Sequence, residues 1–124
     1  MIRKPISKMA DKSEILNNMC YILDGAALVG GSEEKFEGTS MKEYAKLGAK
    51  KCEQVNRKHR SNTGRHNEFE GLHEVISFHT DDKVTPELAA ELALKVWRDV
   101  LKIDNHPHRW AVHTNTDEIH VHLS

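Results

Sequence analysis

One stretch near the end of this 124-residue chain, His113-Thr-Asn-Thr-Asp117-Glu-Ile-His120-Val-His122, restricts the available folds more than any other. His120 and His122 are two apart, so a strand sets both on one face, while Val112, Ile119 and Val121 take the other. Suppose that Thr116 and Asp117 make the turn of an antiparallel hairpin with arms at 109–114 and 118–123; His113 then stands opposite His120. Opposed Cβ atoms lie about 5 Å apart and diagonal ones about 7–8 Å. His113, His120 and His122 would therefore converge on one patch, with coordination positions left for water or substrate oxygens, as a catalytic divalent metal requires. The alternative is a surface strand that merely carries histidines. Asp117 is either a turn residue or an outer carboxylate that orients one of the rings.

A hairpin of this kind needs further strands and a covering layer, and the rest of the chain supplies patterns for both. A length of 124 residues suits one domain with one modest core. Residues 2–7 read as a short, weak strand that Pro5 places at an edge or else abolishes. Asp11, with Glu14 three residues on, caps a helix that ends near Asp24-Gly25 and buries Ile15, Leu16, Met19, Cys20, Ile22 and Leu23. The glycine-rich stretch 25–39 reads as a loop with a short extended piece at 27–29. A second helix runs from Met41 to about Lys58 on a stripe of Met41, Tyr44, Gly48, Cys52 and Val55, before a turn at Ser61-Asn-Thr-Gly64. Residues 72–78 alternate as a strand, with Leu72, Glu74, Ile76 and Phe78 on one side and His73, Val75 and Ser77 on the other. Thr85-Pro86-Glu87 opens a third helix to about Lys102, expected to bury Leu88, Leu92, Val96 and Val100, flanked by Ala89, Ala93 and Trp97. The expected fold is α+β, an antiparallel sheet with helices packed against it.

The net charge of −1 conceals a local excess. Lys42, Lys46, Lys50, Lys51, Arg57, Lys58, Arg60 and Arg65 face only Glu43 and Glu53 over the same stretch, which marks either a polyanion-binding side or an ordinary solvated helix face. Cys20 and Cys52 lack metal-type spacing and read as reduced packing residues, and no apolar run is long enough for a membrane span, so the cytoplasm is expected. Of the two tyrosines, Tyr44 lies on an apolar stripe. Tyr21 shares the polar side of its helix with asparagines, where an aromatic is either at an interface or presented for use. A phenolate is a competent nucleophile toward phosphorus when a metal polarises the phosphate oxygens.

Together these segments resemble the relaxase (mobilisation nuclease) family of conjugative and mobilisable elements, within the histidine–hydrophobe–histidine class of single-strand endonucleases. Asn18-Met-Cys-Tyr21-Ile-Leu is similar to the family's tyrosine motif, Leu72-His73-Glu-Val-Ile-Ser77-Phe78 to its central strand, and Val112 to His122 to its metal motif. The resemblance implies a relaxase-like domain over residues 1–124; because the family continues past the second metal strand, the chain is expected to be the N-terminal part of a longer domain, as a fragment or a truncated gene product, or else a minimal relative. It implies metal-dependent, site- and strand-specific nicking of single-stranded DNA at an origin of transfer, with Tyr21 as the nucleophile of a covalent phosphotyrosine intermediate. On the same ground His113, His120 and His122 would hold Mg²⁺ or Mn²⁺, the basic segment would track the DNA, and accessory relaxosome proteins would assist. Asn115 departs from the pattern, because the family places an aspartate there. Two competing expectations are a DNA-binding remnant that no longer cleaves and a metal-dependent phosphodiesterase with no covalent step.

Overall fold

A computed structural model describes residues 1–63 and 70–124, without the side chains of 60–63. The elements are β1 (Ile2–Met9), α1 (Lys12–Leu23), β2 (Leu28–Gly31), α2 (Met41–Thr63), β3 (Gly71–Phe78), α3 (Pro86–Val100), β4 (Arg109–His113) and β5 (Ile119–Leu123), with short 3₁₀ turns at Thr80–Asp82 and Ile103–Asn105. The strands form one sheet in the order β1-β3-β5-β4-β2, antiparallel at every step. The expected α+β class holds, and the helices divide between the two faces.

Side-chain alternation makes that division. Ile76, Phe78, Val112, Val121 and Leu123 point to the face covered by α3, while Ala111 packs with Ile15, Met19, Ile22, Tyr44 and Ala45 under α1 and α2. On the first face α3 buries Ala89, Ala90, Ala93 and Trp97. This shifts its expected apolar stripe around the helix, since Leu88 and Val100 are 41% and 51% exposed. The cause is polar as well as steric: the Trp97 indole N–H donates to the buried Glu74 carboxylate at 3.0 Å, and the small alanines let the helix lie close to the sheet. Arg3 grips the same carboxylate at 2.7 and 2.9 Å, so Glu74 is committed to the α3 face.

On the other face the predicted cap of α1 is present. The Glu14 amide donates to Asp11 Oδ1 at 3.0 Å, and Glu14 Oε2 accepts from the Ala10 amide at 2.6 Å. α1 crosses α2 at Gly48, where a Cβ would stand 2.8 Å from Met19 Sδ. α2 continues to Thr63, through the expected turn at 61–63, and Gly64 lies outside the described residues. Val55 is 45% exposed and leaves the predicted stripe; Ala45 and Ala49 are buried instead, because α1 and β4 approach closely there. Pro5 sits on an edge strand as expected, beside a register shift between Pro5 and Ser7.

The start of β4 is anchored by a charge that the sequence reading did not single out. Arg109 is fully buried, ion-paired with Glu33 at 2.7 Å, donating from Nε to the Tyr44 carbonyl at 3.1 Å and stacked 4.0 Å from the Tyr44 ring. This cluster pins the β2–α2 connection and α2 to the sheet at the end opposite His113.

Candidate active site

The hairpin register decides which imidazoles meet. His113 pairs with His120, as predicted, and His122 lies opposite Ala111. The arms are one residue shorter than expected, and residues 114–118 form the connection in place of a tight two-residue turn. Thr116 shapes it, its hydroxyl donating to the Glu118 carbonyl at 2.7 Å. Asp117 and Asn115 are exposed in that loop, and among the described residues no hydrogen bond joins either to an imidazole.

Backbone carbonyls hold two of the rings. His113 Nε2 donates to the carbonyl of Ile22, in the last turn of α1, at 2.5 Å, and His120 Nδ1 donates to the Glu118 carbonyl at 3.0 Å. The first of these satisfies a helix-end carbonyl that has no partner within the helix. It also ties α1 to β4 beside Tyr21, which is 69% exposed. The third ring, His122, stands edge-on to His113 at 5.2 Å between centroids and stacks on His73 at 5.3 Å.

His73 and Asn18 have no role of their own in the sequence motifs, and the fold brings both to this cluster. His73 Nε2 and His122 Nδ1 are 3.0 Å apart, and Asn18 Nδ2 lies 3.1 Å from His73 Nδ1. The alternation along β3 carried half of the signal, since it separates His73 from Glu74. The other half was the pairing of Val75 with His122, which depends on the strand order. Tyr44 is at the opposite extreme from Tyr21: it is 1% exposed, and its hydroxyl donates to the Glu33 carbonyl.

A family model, the relaxase MobA/VirD2-like nuclease domain, matches residues 21–124. The chain belongs to that family. No curated protein and no solved structure matches it. The relaxase match begins at Tyr21 and takes in all four of the clustered histidines, while β1 and most of α1 precede it. No helix among the described residues is long and apolar enough to cross a membrane.

Whether this histidine cluster suits a divalent metal turns on its donor chemistry. Among the described residues no group of three or more His, Cys, Asp or Glu side chains stands arranged as a ready cage. The ring nitrogens explain this in part, because His113 Nε2, His120 Nδ1 and His122 Nδ1 are already engaged. Each ring keeps its second nitrogen, and a ring fixed through one nitrogen is the usual form of a histidine ligand. Burial, aided by the neighbouring His73, His113 and His120, lowers the His122 pKa to about 4, so its ring is neutral and able to ligate at neutral pH. His73 is also lowered by burial. In donor type and protonation, though not in a ready arrangement, these residues suit a divalent cation.

Those shifts predict an acid limit to stability. In the unfolded chain His122 takes up its proton near the ordinary histidine pKa of about 6.5, whereas the folded protein resists until about 4. Between these values the unfolded state binds more protons, so stability falls as the pH is lowered through that window. Urea midpoints should therefore decline from pH 7 to pH 4, and His122→Ala should flatten the decline. An equally steep decline in the variant would show that other groups carry it.

Proposed function

We propose that this relaxase domain nicks single-stranded DNA at an origin of transfer, with Tyr21 as the nucleophile and His113, His120 and His122 as ligands of a divalent metal. The observation that carries the reading is the bond from His113 Nε2 to the Ile22 carbonyl, which fixes the helix bearing an exposed Tyr21 to the strand bearing the imidazoles. A bound Mg²⁺ or Mn²⁺ would polarise the scissile phosphate and offset the charge that develops on it. Three nitrogen donors suit Mn²⁺ better than Mg²⁺, which prefers oxygen ligands.

The chain's own part is positioning and attack. Tyr21 Oη forms a bond to phosphorus and the bond from phosphorus to the 3′ oxygen breaks. The 5′ phosphate stays on the tyrosine, the 3′ oxygen leaves as a hydroxyl after gaining a proton, and the exposed phenol gives its own proton to water. Asn115 cannot act as the base at the family's aspartate position, which makes solvent the acceptor. The test is to incubate the protein with Mn²⁺ and a pool of single-stranded oligonucleotides and to look for a protein–DNA adduct that survives detergent. DNA cleaved without an adduct would favour a water-dependent phosphodiesterase, and DNA bound without cleavage a non-cleaving remnant.

The basic segment supports the DNA part. Lys42, Lys46, Lys50, Lys51, Arg57 and Lys58 are exposed along the outer side of α2, with Arg57 paired to Glu53 at 3.1 Å; the side chains of Arg60 and Arg65 lie outside those described. Replacing Lys50, Lys51, Arg57 and Lys58 by alanine should weaken single-strand binding for every sequence. The slope of log affinity against log salt should fall by up to about 3, at ~0.7 per lost phosphate contact. An unchanged slope would reduce these charges to a solvated helix face. Contacts with accessory relaxosome proteins and a cytoplasmic setting belong to the same proposal.

A further inference from the structure

We propose that Asn18 and His73 are positioning residues for His122: their hydrogen-bonded file selects which ring nitrogen of His122 carries the proton, and so whether Nε2 is offered to a cation. This rests on the metal reading above and adds two residues to it.

The three candidate ligands are held differently. His113 and His120 bond to main-chain carbonyls, at 2.5 and 3.0 Å, and a carbonyl can only accept. Each of those rings is therefore confined to one tautomer, with its proton on the engaged nitrogen and a lone pair on the other. His122 is bonded to His73, a group that can donate or accept. Its tautomer is set from further back, by whatever His73 meets at its own second nitrogen.

That group is the Asn18 side-chain amide, which also has both options. With Asn18 Nδ2 donating to His73 Nδ1, His73 carries its proton on Nε2 and donates to His122 Nδ1. His122 then has its proton on Nε2 and no lone pair there. If the amide turns by half a revolution, Oδ1 accepts from His73 Nδ1, His73 Nε2 accepts from His122 Nδ1, and the lone pair appears on His122 Nε2. Each ring holds one proton in both arrangements, so only proton positions differ. Asn18 Oδ1 is buried and has no hydrogen-bond partner, so no bond at that atom opposes the turn. A cation at His122 Nε2 requires the second arrangement, and by linkage its binding and the turn of Asn18 favour each other.

The experiment reads the tautomer directly, by long-range nitrogen–proton correlation spectra of the metal-free protein at pH 7.5. The wild type should show His122 with its proton on Nε2. Asn18→Asp supplies a carboxylate, which only accepts at this pH, and should move the His122 proton to Nδ1. The same variant should bind Mn²⁺ about tenfold tighter by calorimetry, at the lower end of what outer partners of a metal ligand contribute. Because the new carboxylate could attract the cation by charge alone, Asn18→Asp is repeated in a His73→Phe background, which keeps a ring and cuts the file. The tightening should then disappear.

A His122 tautomer unmoved by Asn18→Asp, or a tightening that survives His73→Phe, would overturn the proposal. Failure of the metal reading looks different. Mn²⁺ binding that is unaffected by His122→Ala would remove the ligand role, and with it the coupling to a cation, even with the tautomer shift intact.

Discussion

Tyr21→Phe should reduce the covalent protein–DNA adduct by at least ~10³-fold while leaving single-strand affinity within about twofold of the wild type. The variant removes only the oxygen that would bond to phosphorus. Tyr21 is 69% exposed and no hydrogen bond to its hydroxyl is found among the described residues, so the fold should not register the change. Tyr44→Phe should give the reverse pattern. Its hydroxyl serves the Glu33 carbonyl inside the core, and leaving a buried acceptor unpaired costs about 1–3 kcal/mol. A lower melting temperature with the adduct retained is therefore expected. If the adduct instead vanished with Tyr44→Phe at unchanged stability and persisted with Tyr21→Phe, the assignment of the nucleophile would be wrong.

His122→Ala should weaken Mn²⁺ binding by on the order of 100-fold or more, since outer partners of a metal ligand alone are commonly worth ~10–100-fold. Adduct formation should fall with it. The ring lies between His73 and His113, so the variant also deprives His73 Nε2 of its partner, and a modest loss of stability is expected at neutral pH. Helical content should survive, because α1 remains tied to β4 through His113 and the Ile22 carbonyl. Calorimetry that finds the same Mn²⁺ affinity in variant and wild type would dispose of the metal site.

What could be read before folding divides along a physical line. Local rules sufficed for the caps at Asp11 and Thr85, for the alternation that sends His73 and Glu74 to opposite faces of β3, and for the register of His113 with His120. Each depends on residues close in sequence or on a single pairing. The face of α3 is turned toward its expected flank of Ala89, Ala93 and Trp97, because its orientation is set by Trp97 reaching Glu74, 23 residues away, and by alanines whose small size matters more than their hydrophobicity. The same limit hid Asn18, His73 and Arg109. A polar residue whose partner sits on a distant strand looks like any other polar residue until the strand order is known.

The strand order also sets a timetable for synthesis. β5 lies in the interior of the sheet, between β3 and β4, yet it follows the other four described strands in sequence and leaves the ribosome after them. Until it emerges, β1 and β3 can pair with each other, and β2 with β4, but no strand joins the two ribbons. A nascent chain halted before Ile119 would display two open strand edges that invite pairing with other chains. His120 and His122 arrive on the strand that closes this gap, so the imidazole cluster cannot form before the sheet does. Partly made protein would carry the exposed Tyr21 without the imidazole cluster beside it.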